Sequence, residues 1–167
     1  VAASRRTGGV MTLADLAEYE VVEREPLSAS LFGHRWVTAP PPSAGGYTML
    51  ASLALLDRWI PVARRREGGA PLMHAFAESW KGPFWDRATY FGDPDYVDVR
   101  TDALLDGDRI ARRANVYRRQ VATPVDLYAM PLPETPTGPR SPPGEHGTSH
   151  LCVVDAEGNV AAITTTV

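Results

Sequence analysis

The clearest pattern of apolar and polar positions lies at the C-terminal end of the chain, where it predicts a β-hairpin. Residues 151–154 and 160–167 are rich in apolar and β-branched side chains, as β-strands are. Between them, residues 155–159 supply the Asp, Gly and Asn that tight reversals of the backbone prefer. Two antiparallel strands joined by a short loop are therefore expected here.

The register of this hairpin decides which side chains meet. If the loop joins the strands without a bulge, Val154 faces Val160, and the ladder continues outward until Thr148 faces Thr166. Directly opposed residues have Cβ atoms about 4.5 to 5.5 Å apart, which brings two hydroxyls within hydrogen-bonding reach. One bulge would place Thr165 opposite Thr148 instead.

Helical periodicity and cap signals predict two helices in the first third of the chain. Thr12 and Asp15 form a capping pattern at the start of a short helix that ends near Tyr19. A longer helix follows Ser43, its candidate N-cap, and is apolar nearly all round, which places it in the interior. Extended segments between the two helices are expected at residues 21–26, 27–32 and 35–39.

Glycines 45 and 46 lie at the beginning of this interior helix. A helix N-terminus after glycines is able to bind anions, but the lysine and hydroxyl residue of a phosphate-binding loop are missing here. Close packing of the helix against neighbouring backbone is the favoured interpretation.

The middle of the chain predicts further helices. A long one spans residues 71–91, and Gly82-Pro83 is expected to kink it or divide it in two. Its expected core contributors are Leu72, Phe76, Trp80, Trp85 and Ala88. Residues 101–119 should be helical with a break at Asp106-Gly107.

The connection from residue 121 to residue 147 carries seven of the chain's 15 prolines and shows no periodicity. Such a long structureless connection inside a compact domain is uncommon and is usually functional or mobile. A plain linker explains the composition equally well.

Composition excludes some classes of function. The chain has 167 residues, 44% of them hydrophobic, and its net charge of -3 provides no broad basic field for nucleic acid or anionic membranes. No apolar run approaches the roughly 18 residues of a membrane span. The single cysteine, Cys152, excludes an internal disulfide, and strand alternation predicts that it is buried.

Charged residues and histidines elsewhere favour structural roles. The arginine pair at 112–113 is expected on a solvated face, and Asp86 or Asp93 is expected to form a local ion pair with Arg87. The four histidines show no metal-ligand spacing, and His150 is expected to hydrogen-bond near its own strand. No metal site is predicted.

Thr148 is the candidate for catalysis because it follows Gly147 at the start of the hairpin. A chain cut between these two residues would leave a threonine whose hydroxyl is the nucleophile. Its own α-amine, with an ordinary pKa of about 7.7 to 8.0, would be the general base. The alternative is a loop that simply enters a strand.

A set of separated motifs in one order resembles the γ-glutamyltransferase, or γ-glutamyltranspeptidase, family. The small-subunit motifs are Thr148-Ser149-His150, Val153-Val154-Asp155, Gly158-Asn159 and Thr164-Thr165-Thr166. The large-subunit motifs are Gly8-Gly9-Val10-Met11-Thr12, Asp15-Leu16-Ala17-Glu18-Tyr19, Pro40-Pro41-Pro42-Ser43-Ala44-Gly45-Gly46, Asp86-Arg87 and Gly92-Asp93-Pro94-Asp95-Tyr96.

The resemblance implies an α+β chain, a segment of the stacked αββα sandwich of N-terminal-nucleophile hydrolases. It implies self-cleavage between Gly147 and Thr148, attack of the freed Thr148 hydroxyl on γ-glutamyl amides such as glutathione, and orientation of that hydroxyl by Thr166. No metal or organic cofactor is implied. A periplasmic or extracellular location is implied. Three features depart from the family pattern: Ala44, Ser149 and Gly82-Pro83, where a second serine, a second threonine and a smoother helix are usual.

The same resemblance divides the chain in two. Residues 1–147 correspond to the end of the large subunit, with 121–147 as a flexible tract before the cleavage site, and residues 148–167 correspond to the opening hairpin of the small subunit. The substrate-binding residues belong to the remaining subunit segments, so this piece alone is expected to be inactive. Two alternatives stay open: an acylase of the same fold that acts on cephalosporin side chains, and a non-catalytic binding or scaffold module.

Overall fold

A computed structural model describes residues 1–60, 68–133 and 148–166 of the chain. These residues form an α+β arrangement of seven helices and two antiparallel hairpins. The helices are α1 (Ala2–Arg6), α2 (Leu13–Ala17), α3 (Ala44–Trp59), α4 (Ala70–Tyr90), α5 (Thr101–Leu104), α6 (Gly107–Ala114) and α7 (Val125–Tyr128). The strands are β1 (Leu27–Leu31), β2 (His34–Thr38), β3 (Thr148–Val154) and β4 (Val160–Thr166).

The N-terminal region contains two of the predicted features and lacks a third. The capping box of α2 is present, because the Thr12 hydroxyl accepts from the Asp15 amide while the Asp15 carboxylate accepts from the Thr12 amide at 2.6 Å. Strands β1 and β2 pair with Leu27 opposite Thr38. The extended segment at 21–26 was wrongly predicted as a strand; it is exposed and has no partner strand among the described residues.

Helix α3 forms the centre of the core, as its apolar sequence predicts. Its fully buried side chains are Tyr47, Leu50, Ala51 and Leu55. It packs against α4, α6 and β1. Ser43 holds the N-cap position but its side chain makes no capping hydrogen bond. Gly46 confirms the close-packing interpretation, since a Cβ there would lie 2.2 Å from the Ala39 carbonyl oxygen.

Helix α4 runs without interruption from Ala70 to Tyr90 with Pro83 inside it, so the prediction of two separate helices is wrong. Packing supports the helix where proline removes a backbone donor. Gly82 faces the side chain of Arg113, and a Cβ on Gly82 would lie 2.5 Å from its Nε. Helix α3 also packs against α4.

The buried face of α4 is not the predicted aromatic one. It consists of Ala75, Glu78, Ser79, Gly82, Pro83, Asp86 and Tyr90. Phe76 and Trp80, both predicted to contribute to the core, are 39% and 51% exposed. Glu78 and Asp86 face inward because residues on other elements hydrogen-bond to their carboxylates, which the periodicity of apolar residues does not reveal.

Helices α5 and α6 are separated at the predicted break. Asp106 is the N-cap of α6, and its carboxylate accepts from the amide of Arg109 at 2.9 Å. Ile110 enters the core as expected. Arg113 contradicts the prediction of a solvated face, since its side chain is fully buried.

The connection that begins at residue 121 is partly structured, contrary to the prediction. Residues 125–128 form α7, Thr123 and Tyr128 are buried, and the amide of Leu132 donates to the hydroxyl of Tyr90 at 2.8 Å. Residues 134–147, including Gly147, lie outside the described part of the chain.

Candidate functional site

The turn of the C-terminal hairpin sets its register. The Asp155 carboxylate accepts from the backbone amides of Glu157 and Asn159 and from the side-chain amide of Asn159 at 2.7 Å. These hydrogen bonds, chiefly the one from the Asn159 side chain, lower the pKa of Asp155 below its ordinary value. Gly158 has a φ of 85°, in the left-handed region that glycine adopts without strain. The loop is closed by its own side chains.

The register is the one that the sequence predicts for an unbulged loop. Val154 pairs with Val160, and Thr148 pairs with Thr166. Thr165 pairs with Ser149, so it points to the opposite face and the bulged alternative is wrong.

Thr148 and Thr166 are joined through their side chains. The Thr148 hydroxyl donates to Oγ1 of Thr166 at 3.1 Å. Each hydroxyl is both a donor and an acceptor, so the bond also forms with Thr166 as the donor. Thr148 is exposed, so solvent and solutes reach it in this chain. The structure therefore brings together the two residues that the sequence predicts to be catalytic.

His150 and Thr164 form the next side-chain link on the same face. Nδ1 of His150 lies 2.7 Å from Oγ1 of Thr164, and Nε2 lies 3.2 Å from Sγ of Cys152. This confirms the expectation that His150 hydrogen-bonds near its own strand. Cys152 is exposed, which corrects the prediction that it is buried.

A buried charge cluster surrounds Asp86, and no sequence pattern predicted it. The carboxylate accepts from Arg109 at 2.7 Å, from both terminal nitrogens of Arg113, and from the hydroxyl of Tyr47. The predicted ion pair between Asp86 and Arg87 is therefore wrong. The Arg87 guanidinium instead lies 5.7 Å from the centre of the Phe84 ring.

The electrostatics of this cluster are consistent with its burial. Burial raises the pKa of Tyr47 far above its ordinary value, and the negative charge of Asp86 adds to the effect. Burial alone would lower the pKa of Arg113, but the hydrogen bonds and charge of Asp86 outweigh it, so the net direction is upward. Both groups keep their protons at neutral pH. The cluster joins α3, α4 and α6 as a structural network.

A second buried carboxylate, Glu78, anchors the segment that contains α7. It accepts from the ammonium of Lys81 at 2.5 Å, from the hydroxyl of Tyr128 at 2.8 Å, and from the amide of Thr123 at 3.3 Å. Burial would raise the pKa of Glu78, but these hydrogen bonds together lower it. The apolar periodicity of α4 gave no signal for this network.

The part of the chain that the structure describes contains no group of three or more His, Cys, Asp or Glu side chains able to hold a metal ion. Within the same residues, none of the helices combines the length and the apolar character that crossing a membrane requires.

The family is decided by a sequence comparison over the whole chain. The model of the family described as gamma-glutamyltranspeptidase matches residues 1–167. The chain belongs to the γ-glutamyltranspeptidase family. The separate motifs that resemble this family therefore lie within one continuous family match.

Individual relatives agree with this match. The chain is 34% identical to the glutathione hydrolase proenzyme of Escherichia coli (strain K12) over 163 residues, which cover 97% of this chain and 27% of the relative. It is also 31% identical to the acylase ACY 1 proenzyme of Pseudomonas sp. (strain V22), over 96% of this chain and 26% of the relative. The chain thus spans about a quarter of the length of these relatives.

Solved γ-glutamyltranspeptidase structures share the fold. The enzyme of Pseudomonas nitroreducens complexed with L-DON superposes with a TM-score of 0.70 and 28% identity, over 77% of this chain and 39% of that one. The Helicobacter pylori γ-glutamyltranspeptidase gives a TM-score of 0.68 over 75% of this chain and 36% of that one. The α+β architecture is therefore that of a segment of an N-terminal-nucleophile hydrolase.

Proposed function

We propose that the protein containing this chain transfers or hydrolyses γ-glutamyl groups, with Thr148 as its nucleophile and Thr166 as the residue that orients the Thr148 hydroxyl. The observation that carries this proposal is the 3.1 Å hydrogen bond between the two hydroxyls on an exposed face. The names of the relatives, glutathione hydrolase and γ-glutamyltranspeptidase, support the substrate class. Glutathione and related γ-glutamyl amides are the proposed substrates, and no organic cofactor or metal is required.

Maturation begins with the peptide bond before Thr148. The Thr148 oxygen attacks the carbonyl carbon of Gly147, the bond from that carbon to the Thr148 nitrogen breaks, and the nitrogen takes up a proton. Water then hydrolyses the resulting ester, which leaves a carboxylate on Gly147 and a free α-amine on Thr148. This amine becomes available as a general base close to the hydroxyl it serves.

Turnover repeats the chemistry on a substrate. With Thr166 donating its hydrogen bond to Oγ1 of Thr148, the Thr148 proton is free to pass to the α-amine while the oxygen attacks the γ-carbonyl carbon. The leaving amine carries away a proton, and a γ-glutamyl ester on Thr148 remains. Water completes hydrolysis of the ester, whereas an acceptor amine completes transfer.

The chain supplies only part of this machinery under the proposal. Residues 1–147 form the end of the large subunit, with residues 121–147 lying before the cleavage site, and residues 148–167 open the small subunit. Groups that bind the substrate and stabilise the oxyanion come from the remaining subunit segments. Removing one oxyanion donor commonly costs about 10²- to 10³-fold in rate, so we expect the isolated chain to be inactive. A periplasmic or extracellular location belongs to the same proposal.

Intact-mass analysis of the longer parent protein tests cleavage and nucleophile together. We expect two pieces divided between Gly147 and Thr148, and activity on a γ-glutamyl anilide. Thr148→Ala should abolish both cutting and turnover, whereas Thr165→Val, whose side chain lies on the opposite face, should keep both. A single uncut species in the wild-type protein would favour the scaffold module, and product release by the Thr148→Ala protein would refute the nucleophile.

An acylase of the same fold is the second candidate, favoured by the similarity to the acylase ACY 1 proenzyme. Both candidates use the same nucleophile, so geometry at Thr148 does not separate them. Comparing γ-glutamyl and cephalosporin amides on one mature preparation does. A higher kcat/KM on the γ-glutamyl amide is expected.

A further inference from the structure

His150 is the titratable side chain nearest in sequence to Thr148 on the nucleophile's own face of the hairpin. It follows Thr148 by two positions, so the two side chains project in the same direction. Its ring is held on both sides, by the Thr164 hydroxyl at Nδ1 and by the Cys152 sulfur at Nε2. A histidine in this location could either exchange a proton with Thr148 or hold neighbouring residues in position.

The contacts argue against a chemical role for the ring. Residues two positions apart on a strand are separated by about 6.6 Å along the strand axis. Both ring nitrogens of His150 are engaged by neighbours, and one of these, Cys152, lies on the side away from Thr148. The imidazole is therefore not directed at the Thr148 hydroxyl.

We propose that His150 is a positioning residue, which acts through Thr164 to hold the strand that carries Thr166. The inference deepens the proposed function and rests on it. His150 and Thr164 link β3 to β4 one pair inward, on the same face, from the pair formed by Thr148 and Thr166. Fixing this inner pair limits how far the outer hydroxyls can separate.

The place of this link in the hairpin explains why it matters. Thr148 and Thr166 form the last described pair of the hairpin, and His150 and Thr164 form the next pair on the same face. A cross-strand side-chain hydrogen bond at the inner pair restrains how far the two strands can separate at the outer pair.

The hydrogen bond between His150 and Thr164 can form in either protonation state of the imidazole ring. A threonine hydroxyl both donates and accepts, so it pairs with Nδ1 whether or not that nitrogen carries a proton. The nearest titratable group in contact with the ring is Cys152. The positioning role therefore predicts that removing the imidazole leaves the shape of the pH profile of turnover unchanged. If His150 were a general base, removing it would also remove one ionisation from that profile.

Three substitutions at His150 separate the two ring nitrogens. His150→Asn keeps a hydrogen-bonding group near the position of Nδ1, His150→Gln places one near Nε2, and His150→Ala keeps neither. In the matured parent enzyme we expect kcat for a γ-glutamyl anilide to fall about tenfold in the Ala and Gln variants, the size of one lost hydrogen bond. KM should change little. The Asn variant should retain most of the activity.

A double-mutant cycle with Thr164 tests the route of the effect. Thr164→Val should lower kcat as much as His150→Ala, and the double variant should be no slower than either single one. Cys152→Ala should stay within about twofold of wild type, because it disturbs only Nε2. Rates are expressed per cut chain, counted by intact mass, so that poor maturation of a variant is not counted as slow turnover.

Several outcomes would overturn the positioning role. Additive losses in the double variant, equal losses in the Asn and Gln variants, or an ionisation in the pH profile of turnover that disappears with the ring would each do so. These outcomes leave the proposed function intact. Turnover that persists in Thr148→Ala would instead reject the proposed function itself.

Discussion

Both terminal nitrogens of the Arg113 guanidinium on α6 donate hydrogen bonds to Asp86 on α4, at 2.6 Å and 3.0 Å from the two carboxylate oxygens. Neither side chain is accessible to solvent. The Nε of the same guanidinium donates to the carbonyl of Tyr128 at 3.1 Å. Arg113 thus connects the Asp86 cluster on α4 to the segment that contains α7.

Asp86→Asn should be strongly destabilising, because it leaves the guanidinium groups of Arg109 and Arg113 buried without their counter-charge. Breaking a buried pair from one side costs about 3 to 5 kcal/mol. The free energy of unfolding from urea denaturation measures the loss. The control is Asp98→Asn, the same change at an exposed position, which should alter stability by less than about 0.5 kcal/mol. Equal effects at both positions would contradict the structural role of the cluster.

Gly46→Ala should lower the stability of the fold and Gly45→Ala should raise it, although the two glycines are neighbours in α3. A Cβ on Gly46 would lie 2.2 Å from the Ala39 carbonyl oxygen, whereas a Cβ on Gly45 meets only the Ser43 hydroxyl at 3.8 Å. Overpacking of this kind costs about 1 to 3 kcal/mol, while Ala in place of Gly within a helix gains up to about 1 kcal/mol. Thermal unfolding of the two variants measures the contrast. A stabilised Gly46→Ala protein would rule out the close approach.

The free energy of unfolding should fall at acid pH because Glu78 becomes protonated there. Its hydrogen bonds hold its folded pKa below the ordinary value of 4.5, so ionised Glu78 stabilises the fold above that pH. The contribution is lost as pH falls through the folded pKa. Glu78→Gln should be less stable than wild type at pH 7, and the gap should narrow below about pH 4.5.

Urea denaturation at a series of pH values checks this dependence. Exposed Glu157 provides the matched control, since Glu157→Gln should leave the stability curve nearly unchanged. A gap between wild type and Glu78→Gln that stays constant from neutral to acid pH would show that the carboxylate charge is not what stabilises the α7 segment.

Thr166→Val should slow self-cleavage and turnover without unfolding the hairpin. Valine keeps the β-branched shape but removes the hydroxyl that lies 3.1 Å from Oγ1 of Thr148. Loss of one such hydrogen bond predicts about a tenfold fall in kcat. Steady-state kinetics on the matured parent measures it, with Thr165→Val as the control on the opposite face. Equal slowing by both substitutions would indicate a general loss of strand structure rather than of one hydroxyl.

The helix α4 shows where sequence patterns stop being informative. Its aromatic residues predicted the core face, but Phe76 and Trp80 are exposed while Glu78 and Asp86 are buried. Apolar periodicity assumes that burial follows hydrophobicity. This assumption fails for Asp86 and Glu78, because each buried carboxylate is hydrogen-bonded by a residue far away in the sequence. The partner of Asp86 is 27 residues away, and that of Glu78 is 50 residues away.

The hairpin shows the opposite case. The Asp155 turn and the alternation of the strands followed from local sequence, and so did the pairing of Thr148 with Thr166 for a loop without a bulge. The sequence by itself thus determined the interior helix α3, the paired strands and the meeting of the two hydroxyls. The tertiary structure alone decided which face of α4 is buried and which arginines pair with Asp86. Those outcomes depend on contacts between distant segments, whose geometry is set only when the helices pack together.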